Sequence, residues 1–207
     1  MGLYGKHVLP RLIDVACGTT EFSEQRADIL PAAEGVVLDI GIGTGLNLKF
    51  YDPRRVTRLI GLDPCETSLK LAHKAASDCT IPFETLAAGG EAIPLPDDSV
   101  DTVVLTYTLC TVPDVAPVLA EVRRVLKEDG LLLYAEHVRA PERKLARWQD
   151  RLVKPWAAAF GGCQLNRDTE ALLRQAGFRS GDMTLEKVQR QLPLVAWQAK
   201  GRVRASA

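Results

Sequence analysis

Three glycines at alternate positions, Gly41, Gly43 and Gly45, follow the apolar run Val36-Val37-Leu38-Asp39-Ile40 and lead into Leu46-Asn47. Glycines so placed permit positive φ and let a ligand approach the backbone closely. The pattern is D-x-G-x-G-x-G. It departs from the dinucleotide fingerprint G-x-G-x-x-G because Leu46 stands where the third glycine would be. An acid two places before the first glycine does not suit a pyrophosphate, which seeks uncompensated backbone donors. It suits a ligand that carries a cation. Asp63 ends the next apolar run, Leu59-Ile60-Gly61-Leu62, and a carboxylate about 20 residues past such a loop accepts hydrogen bonds from both ribose hydroxyls. Together these features describe a nucleoside with a positively charged tail and no pyrophosphate. Two further residues could act on an acceptor. His137 follows Glu136 at the end of the run Leu131 to Ala135, where an imidazole can take a proton, and Cys110 follows Val103 to Thr106.

The apolar runs are continuous rather than alternating, as expected for strands covered on both faces in a parallel sheet. Between them lie helical patterns. Asp114 to Asp129 carries Val115, Val118, Leu119, Val122, Val125 and Leu126 on one stripe, with Asp114 as its cap and Gly130 as its stop. Others follow Pro64 and span Asn166 to Gly177. Strand and helix alternating in this way require right-handed crossovers and an open α/β sheet, whose ligands bind at the carboxyl ends of the strands. The tail differs: Thr184 to Gln191 and Leu194 to Lys200 are joined by only Leu192-Pro193, too short for a crossover helix, so an antiparallel hairpin at the sheet edge is expected. Between Arg139 and Asn166, Leu145, Trp148, Leu152, Trp156 and Ala159 form an apolar stripe opposite Arg143, Lys144, Arg147, Arg151 and Lys154. This predicts a substrate cap. Aromatic residues opposite basic ones also suit an interfacial helix, which adds an expectation of transient contact with a membrane surface.

A length of 207 residues fits one domain, 1–207, and 46% hydrophobic with 25% charged residues is globular in composition. Lys plus Arg (26) equals Asp plus Glu (26), which excludes nucleic-acid binding by phosphate neutralisation. Five scattered cysteines without a CxxC pair argue against a disulfide framework or structural zinc, and no metal is expected. Neither a secretion signal nor a membrane span is apparent, so the expected location is cytoplasmic. The sequence carries no sign of an oligomeric state.

The glycine loop, Asp63, the segment Gly89-Gly90-Glu91-Ala92-Ile93-Pro94-Leu95-Pro96 and the segment Val122 to Gly130 together resemble the class I S-adenosylmethionine-dependent methyltransferases over nearly the whole chain. The resemblance implies a Rossmann-like open, mostly parallel seven-stranded sheet with helices on both faces and a C-terminal antiparallel hairpin. It implies S-adenosyl-L-methionine as cofactor. The methionine portion falls to Asp39, Gly41, Gly43, Gly45 and Asn47, with Thr106 and Tyr107 offering backbone carbonyls. The ribose falls to Asp63 and Pro64, and the adenine side to Gly90 and Glu91. Gly89 departs from the family pattern, where many relatives carry an acid for the adenine amine; Glu91 or backbone groups must take that part. Residues 1–30 are expected as an N-terminal helical cap and 139–166 as the inserted substrate cap.

Within that superfamily, Gly45-Leu46-Asn47-Leu48-Lys49-Phe50-Tyr51, Leu109-Cys110-Thr111-Val112, Glu136-His137-Val138 and Gly161-Gly162-Cys163-Gln164-Leu165-Asn166-Arg167 are similar to proteins of the alkyl thiol methyltransferase type, grouped with ubiquinone, menaquinone and phospholipid methyltransferases. The likeness implies methyl transfer to a small-molecule acceptor, a thiol foremost. N- or O-methylation of a phospholipid or quinone, and cofactor binding without catalysis, are the alternatives. His137, oriented by Glu136, is the expected general base, and Cys110 is expected beside the acceptor.

Overall fold

The computed structural model describes residues 17–178 and 181–204. The expected N-terminal cap is therefore visible only from residue 17; residues 1–16 lie outside the described part. Seven strands and five α-helices follow in order: α1 (Thr20–Ile29), β1 (Gly35–Ile40), β2 (Val56–Leu62), α2 (Glu66–Ala75), β3 (Phe83–Leu86), β4 (Val100–Thr106), α3 (Val115–Val125), β5 (Leu126–His137), α4 (Arg143–Ala159), α5 (Thr169–Gln175), β6 (Asp182–Lys187) and β7 (Trp197–Arg204). The sheet order is β3-β2-β1-β4-β5-β7-β6. The first five strands pair in parallel, and β7 pairs antiparallel with both β5 and β6. This is the seven-stranded architecture that the resemblance implies.

Continuous hydrophobicity in the central strands is explained by what covers them. On one face, Val115, Val118, Leu119, Val122 and Val125 of α3 pack with Leu38, Ile40, Val103 and Leu105. On the other, Phe22 and Ile29 of α1 and Leu69 and Ala72 of α2 pack with Val37, Leu59 and Val104. Both faces exclude water, so no strand residue in the middle can be polar without a partner.

Several elements differ from those expected. The helix predicted to reach Asp129 ends at Val125, because Leu126 turns extended (φ −78°, ψ 130°) and pairs with Val100 at the start of β5. Local periodicity there yields to the sheet ladder. The four-residue β3 carries no continuous apolar run, and all of it is only half-buried at the sheet's edge. In the tail, Pro193–Val195 form a turn of 3-10 helix, so β7 begins at Trp197 and not at Leu194.

Helix α4 also turns a different face inward. Its buried residues are Ala146 and Gln149, while Trp148 is 48% exposed and the cations Arg143, Lys144, Arg147, Arg151 and Lys154 all face solvent. The Gln149 amide explains why. Its Oε1 accepts from Ala140 N at 2.8 Å, and its Nε2 donates to Val138 O at 3.2 Å and Leu194 O at 3.0 Å. Arg139 and Asn166 both bond Asp150 beside it. The first half of the helix is thereby latched to the end of β5, whereas the second half contains Pro155, which cannot donate to the helix ladder. No helix among the described residues is long and apolar enough to cross a membrane.

Hydrogen exchange should resolve these two halves. Amides of Arg147 to Asp150 are expected to exchange more slowly than those of Trp156 to Ala159, and Gln149→Leu should abolish the difference. Uniformly strong protection along α4, unchanged in the variant, would make the helix ordinary core.

Candidate active site

Strands β1, β2, β4 and β5 all end on the same edge of the sheet, and the loops that leave them enclose a cavity of about 550 Å³. Its floor is the glycine loop. Gly41 N and Ile42 N both donate to Leu62 O, at 2.7 and 3.2 Å, which closes the loop against β2. Gly43 adopts φ +55°, and a Cβ there would meet only Gly41 O at 3.8 Å, so its bare backbone faces open space. Gly41 is a glycine for another reason: a Cβ would collide with Thr108, whose hydroxyl donates to Ile40 O at 2.9 Å.

Asp63 holds this floor in place. Its Oδ2 accepts from Gly43 N at 3.1 Å and its Oδ1 from Cys65 N at 2.8 Å. Burial pushes its carboxyl above the usual aspartate range, against the pull of those two amides. Each oxygen keeps a lone pair for a hydroxyl donor from the cavity.

A buried network lies beneath. Asp39 Oδ2 accepts from Asn47 Nδ2 and from the Tyr51 hydroxyl, each at 2.8 Å. Asn47 Nδ2 also donates to Thr106 Oγ1 at 2.9 Å, and Asn47 Oδ1 accepts from Arg26 Nε at 2.9 Å. Arg26 reaches this network from α1, its NH1 donating to Cys17 O at 2.8 Å and its guanidinium lying 5.2 Å from the Tyr107 ring centroid. Tyr107 itself has φ +56°, a strained value for a residue with a side chain. It is held by three elements: its N donates to Ala135 O, its hydroxyl donates to Gln198 Oε1 on β7, and its ring stands edge-on to Phe22 of α1.

Of the residues expected to contact the cofactor, Gly41, Gly43, Asn47, Asp63, Pro64, Gly90, Glu91, Thr106 and Tyr107 line the cavity. Asp39 and Gly45 do not. Asp39 lies wholly buried behind Asn47, and Gly45 lies against Leu48 and Ala72. The departure at Gly89 has a geometric counterpart, since a Cβ added there would fall on the Glu91 carboxylate. The missing side chain makes room for that acid at the rim.

The two residues expected to act on the acceptor are placed otherwise than expected. Glu136 does not orient His137. Its buried carboxylate accepts from three successive amides, Thr108 N and Leu109 N at 2.8 Å and Cys110 N at 3.1 Å, and burial pushes its pKa up to about 6. His137 is buried with Nε2 3.2 Å from Cys163 Sγ, and its ring also bonds the Gln164 backbone. Neither it nor the buried Cys110 lines the cavity. An imidazole enclosed in this way is not in reach of a proton in the cavity, which argues against the direct base role expected of it.

Several wall residues had no sequence motif to announce them. Arg26 is one, although it is the only cation in Thr20–Ile29 and stands there among buried neighbours. Thr108, Thr111, Val112, Pro113, Gly161 and Gly162 form one stretch of wall from two loops that are far apart in the chain.

The sequence pattern of the methyltransferase domain family matches residues 38–134. The human thiol S-methyltransferase TMT1B is 36% identical over 178 residues, covering 83% of this chain and 70% of that one. The human thiol S-methyltransferase TMT1A is 35% identical over 166 residues, covering 78% of this chain and 66% of that one. Among solved structures, a SAM-dependent methyltransferase from Thermotoga maritima superposes with a TM-score of 0.69 at 20% identity, over 98% of this chain and 100% of that one. This last likeness concerns the fold.

The buried acid beneath the cavity has a measurable signature. Burial lifts Asp39 from its ordinary 3.8 to about 6, against the lowering effects of Asn47, Tyr51 and Arg26, while Asp63 adds to the rise. The folded chain therefore binds this proton more tightly than the unfolded one, so the contribution to stability is full below about pH 4 and lost as pH rises to about 6. Relative to Asp39→Asn, the melting temperature of the ligand-free chain should fall across that window and level off above it. A difference that stays constant from pH 4 to 7 would show that Asp39 does not titrate there.

Proposed function

The chain belongs to the S-adenosylmethionine-dependent methyltransferases, and from that premise we propose that it methylates the sulfur of a small thiol. The observation that carries the choice of acceptor is the wall made by Thr108, Thr111, Val112, Pro113, Gly161 and Gly162, which offers hydroxyls and apolar groups but no ionisable side chain. An alcohol or amine acceptor needs a base to become nucleophilic. A thiol near pKa 8.5 is already a few per cent thiolate at neutral pH and needs chiefly proximity and a dry site. The names of the two human relatives point the same way.

The cavity fits the cofactor on its own geometry. Gly43 presents bare backbone, Asp63 keeps free lone pairs, and Arg26 brings a cation to the cavity wall. When bound, S-adenosylmethionine supplies a sulfonium methyl: the thiolate sulfur forms a bond to that carbon as the old carbon–sulfur bond breaks, its electron pair staying on the departing thioether. The chain's residues do the rest by holding. Asp63 accepts from the ribose hydroxyls, and Arg26 bonds the methionine carboxylate in the two-pronged manner of a guanidinium. Thr106 and Tyr107, which line the cavity, would lie beside the methionine portion, with Tyr107 held there by its strained backbone. Glu91 accepts from the adenine amine in the space that Gly89 leaves. The Thr108 and Thr111 hydroxyls, which donate to Ile40 O and Thr108 O, hold the wall in shape beside the thiolate, whose proton has already passed to water.

Contact of α4 with an anionic lipid surface is a secondary reading, favoured by exposed Trp148 among exposed cations, with Arg151 5.6 Å from its ring. Co-sedimentation with anionic vesicles measures it.

Transfer of labelled methyl to small thiols tests the main proposal. The product should be the methyl thioether, and kcat/KM should rise with pH to an inflection at the acceptor's own pKa, moving as thiols of different acidity are used. An inflection fixed across the series would assign deprotonation to a protein group, and methylation of a phospholipid or quinol with no thioether formed would overturn the acceptor.

The adenine contact is tested by affinity for S-adenosylhomocysteine. Glu91→Gln should weaken binding roughly three- to tenfold, the scale of one hydrogen bond. Gly89→Ala, which displaces the same carboxylate, should cost a similar factor, and the double variant no more than either alone. Additive losses would separate the glycine from the carboxylate.

A further inference from the structure

Behind the acceptor wall, three residues from distant parts of the chain converge. Cys110 lies in the loop after β4, His137 is the last residue of β5, and Cys163 lies in the turn after α4. Their two Sγ atoms and the imidazole nitrogen all lie within 4.8 Å of one another, and all three residues are buried. Cys163 Sγ and His137 Nε2 are 3.2 Å apart. Four-coordinate zinc has Zn–S near 2.3 Å and Zn–N near 2.0 to 2.1 Å, which places tetrahedral ligand atoms roughly 3.5 to 3.8 Å from one another. The cluster needs only small side-chain adjustments to reach that spacing.

The surroundings are those that hold ligands in place. The Glu136 carboxylate fixes the backbone at Cys110, accepting from its N at 3.1 Å, and Gln164 N donates to Cys110 O at 2.7 Å, which ties the two cysteine loops together. The Trp156 indole donates to Cys163 Sγ at 3.0 Å, as an outer donor to a ligating sulfur does. The His137 ring bonds the Gln164 backbone, leaving Nε2 toward the sulfurs. Two thiolates and a neutral imidazole carry two negative charges, which a divalent ion cancels in a place shielded from water. Two sulfurs and one imidazole suit a borderline-soft ion rather than calcium or magnesium.

We propose that Cys110, His137 and Cys163 form a zinc(II) site with three protein ligands and an open fourth position. Thr111 and Gly162 border the ligands in sequence and line the cavity, so the ion would clamp the two loops that make the acceptor wall. This inference does not depend on the acceptor being a thiol. The ligands stand 27 and 26 residues apart in the chain, which is why no short metal motif marks them.

The test uses the full chain, purified with a reductant, stripped by a chelator, equilibrated with zinc sulfate and desalted. Elemental analysis should find about one zinc per chain. Cobalt(II) in its place should give thiolate charge-transfer absorption and the visible bands of a tetrahedral centre. In competition with a chromophoric chelator, Cys163→Ser and His137→Gln should each lose at least about tenfold in zinc affinity, because binding requires each ligand. Cys79→Ser, outside the cluster, should lose none. Should a ligand variant fail to fold, the cobalt spectrum of the unaltered chain still decides. Substoichiometric zinc, a cobalt spectrum without thiolate bands, or equal losses in Cys79→Ser and Cys163→Ser would overturn the site. A Cys110–Cys163 disulfide that, once reduced, takes up no metal would overturn it too.

Discussion

The Glu136 carboxylate, wholly buried at the carboxyl edge of the sheet, binds the three successive amides of Thr108, Leu109 and Cys110. Those amides leave β4 with no strand or helix to receive them, and a buried amide without a partner is costly. One side chain resolves the problem for the whole turn. The turn then supplies Thr108 to fill the space beside Gly41, Thr111 to the cavity and Cys110 to the sulfur cluster. Removing the carboxylate would release all three at once. Its burial works against its charge, which is why the group sits well above the ordinary glutamate range.

Asp39 does for β1 what Glu136 does for β5. It gathers Asn47 and Tyr51 beneath the glycine loop, and Arg26 joins through Asn47. The guanidinium thus serves two ends: it offsets a buried negative charge below and offers a cation to the cavity above. Because Arg26 belongs to α1, the seating of that helix and the shape of the cavity wall it reaches are one structural event.

Much of this was legible in the sequence because it depends on local chemistry. The four central strands, the helix after Asp114 and the antiparallel pairing of the tail follow from apolar runs, caps and a short connection, and the glycine spacing with the acid about 20 residues on brings Gly43 and Asp63 together, whereas Glu91 enters only through the family resemblance. What was not legible depends on partners distant in the chain. His137 ends its strand on the ligand edge as expected, yet its ring turns toward Cys163, a residue that no spacing rule connects with it. Gln149 reads as the polar side of an amphipathic helix, and the structure buries it because three backbone groups await its amide. Val125 ends a helix that periodicity would prolong, because Val100 offers Leu126 a strand partner.

Tyr107 is where the two ends of the described chain meet, with Phe22 and Arg26 of α1 on one side and Gln198 of β7 on the other. Strand β7 lies between β5 and β6, so the last element among the described residues is inserted beside one made some 60 residues earlier. A nascent chain that has emerged only as far as α5 holds the glycine loop and Asp63 but lacks the support that fixes Tyr107. Since domains acquire their final packing as units during synthesis, the full support of Tyr107, and with it the finished cavity wall, arises only after β7 has left the ribosome.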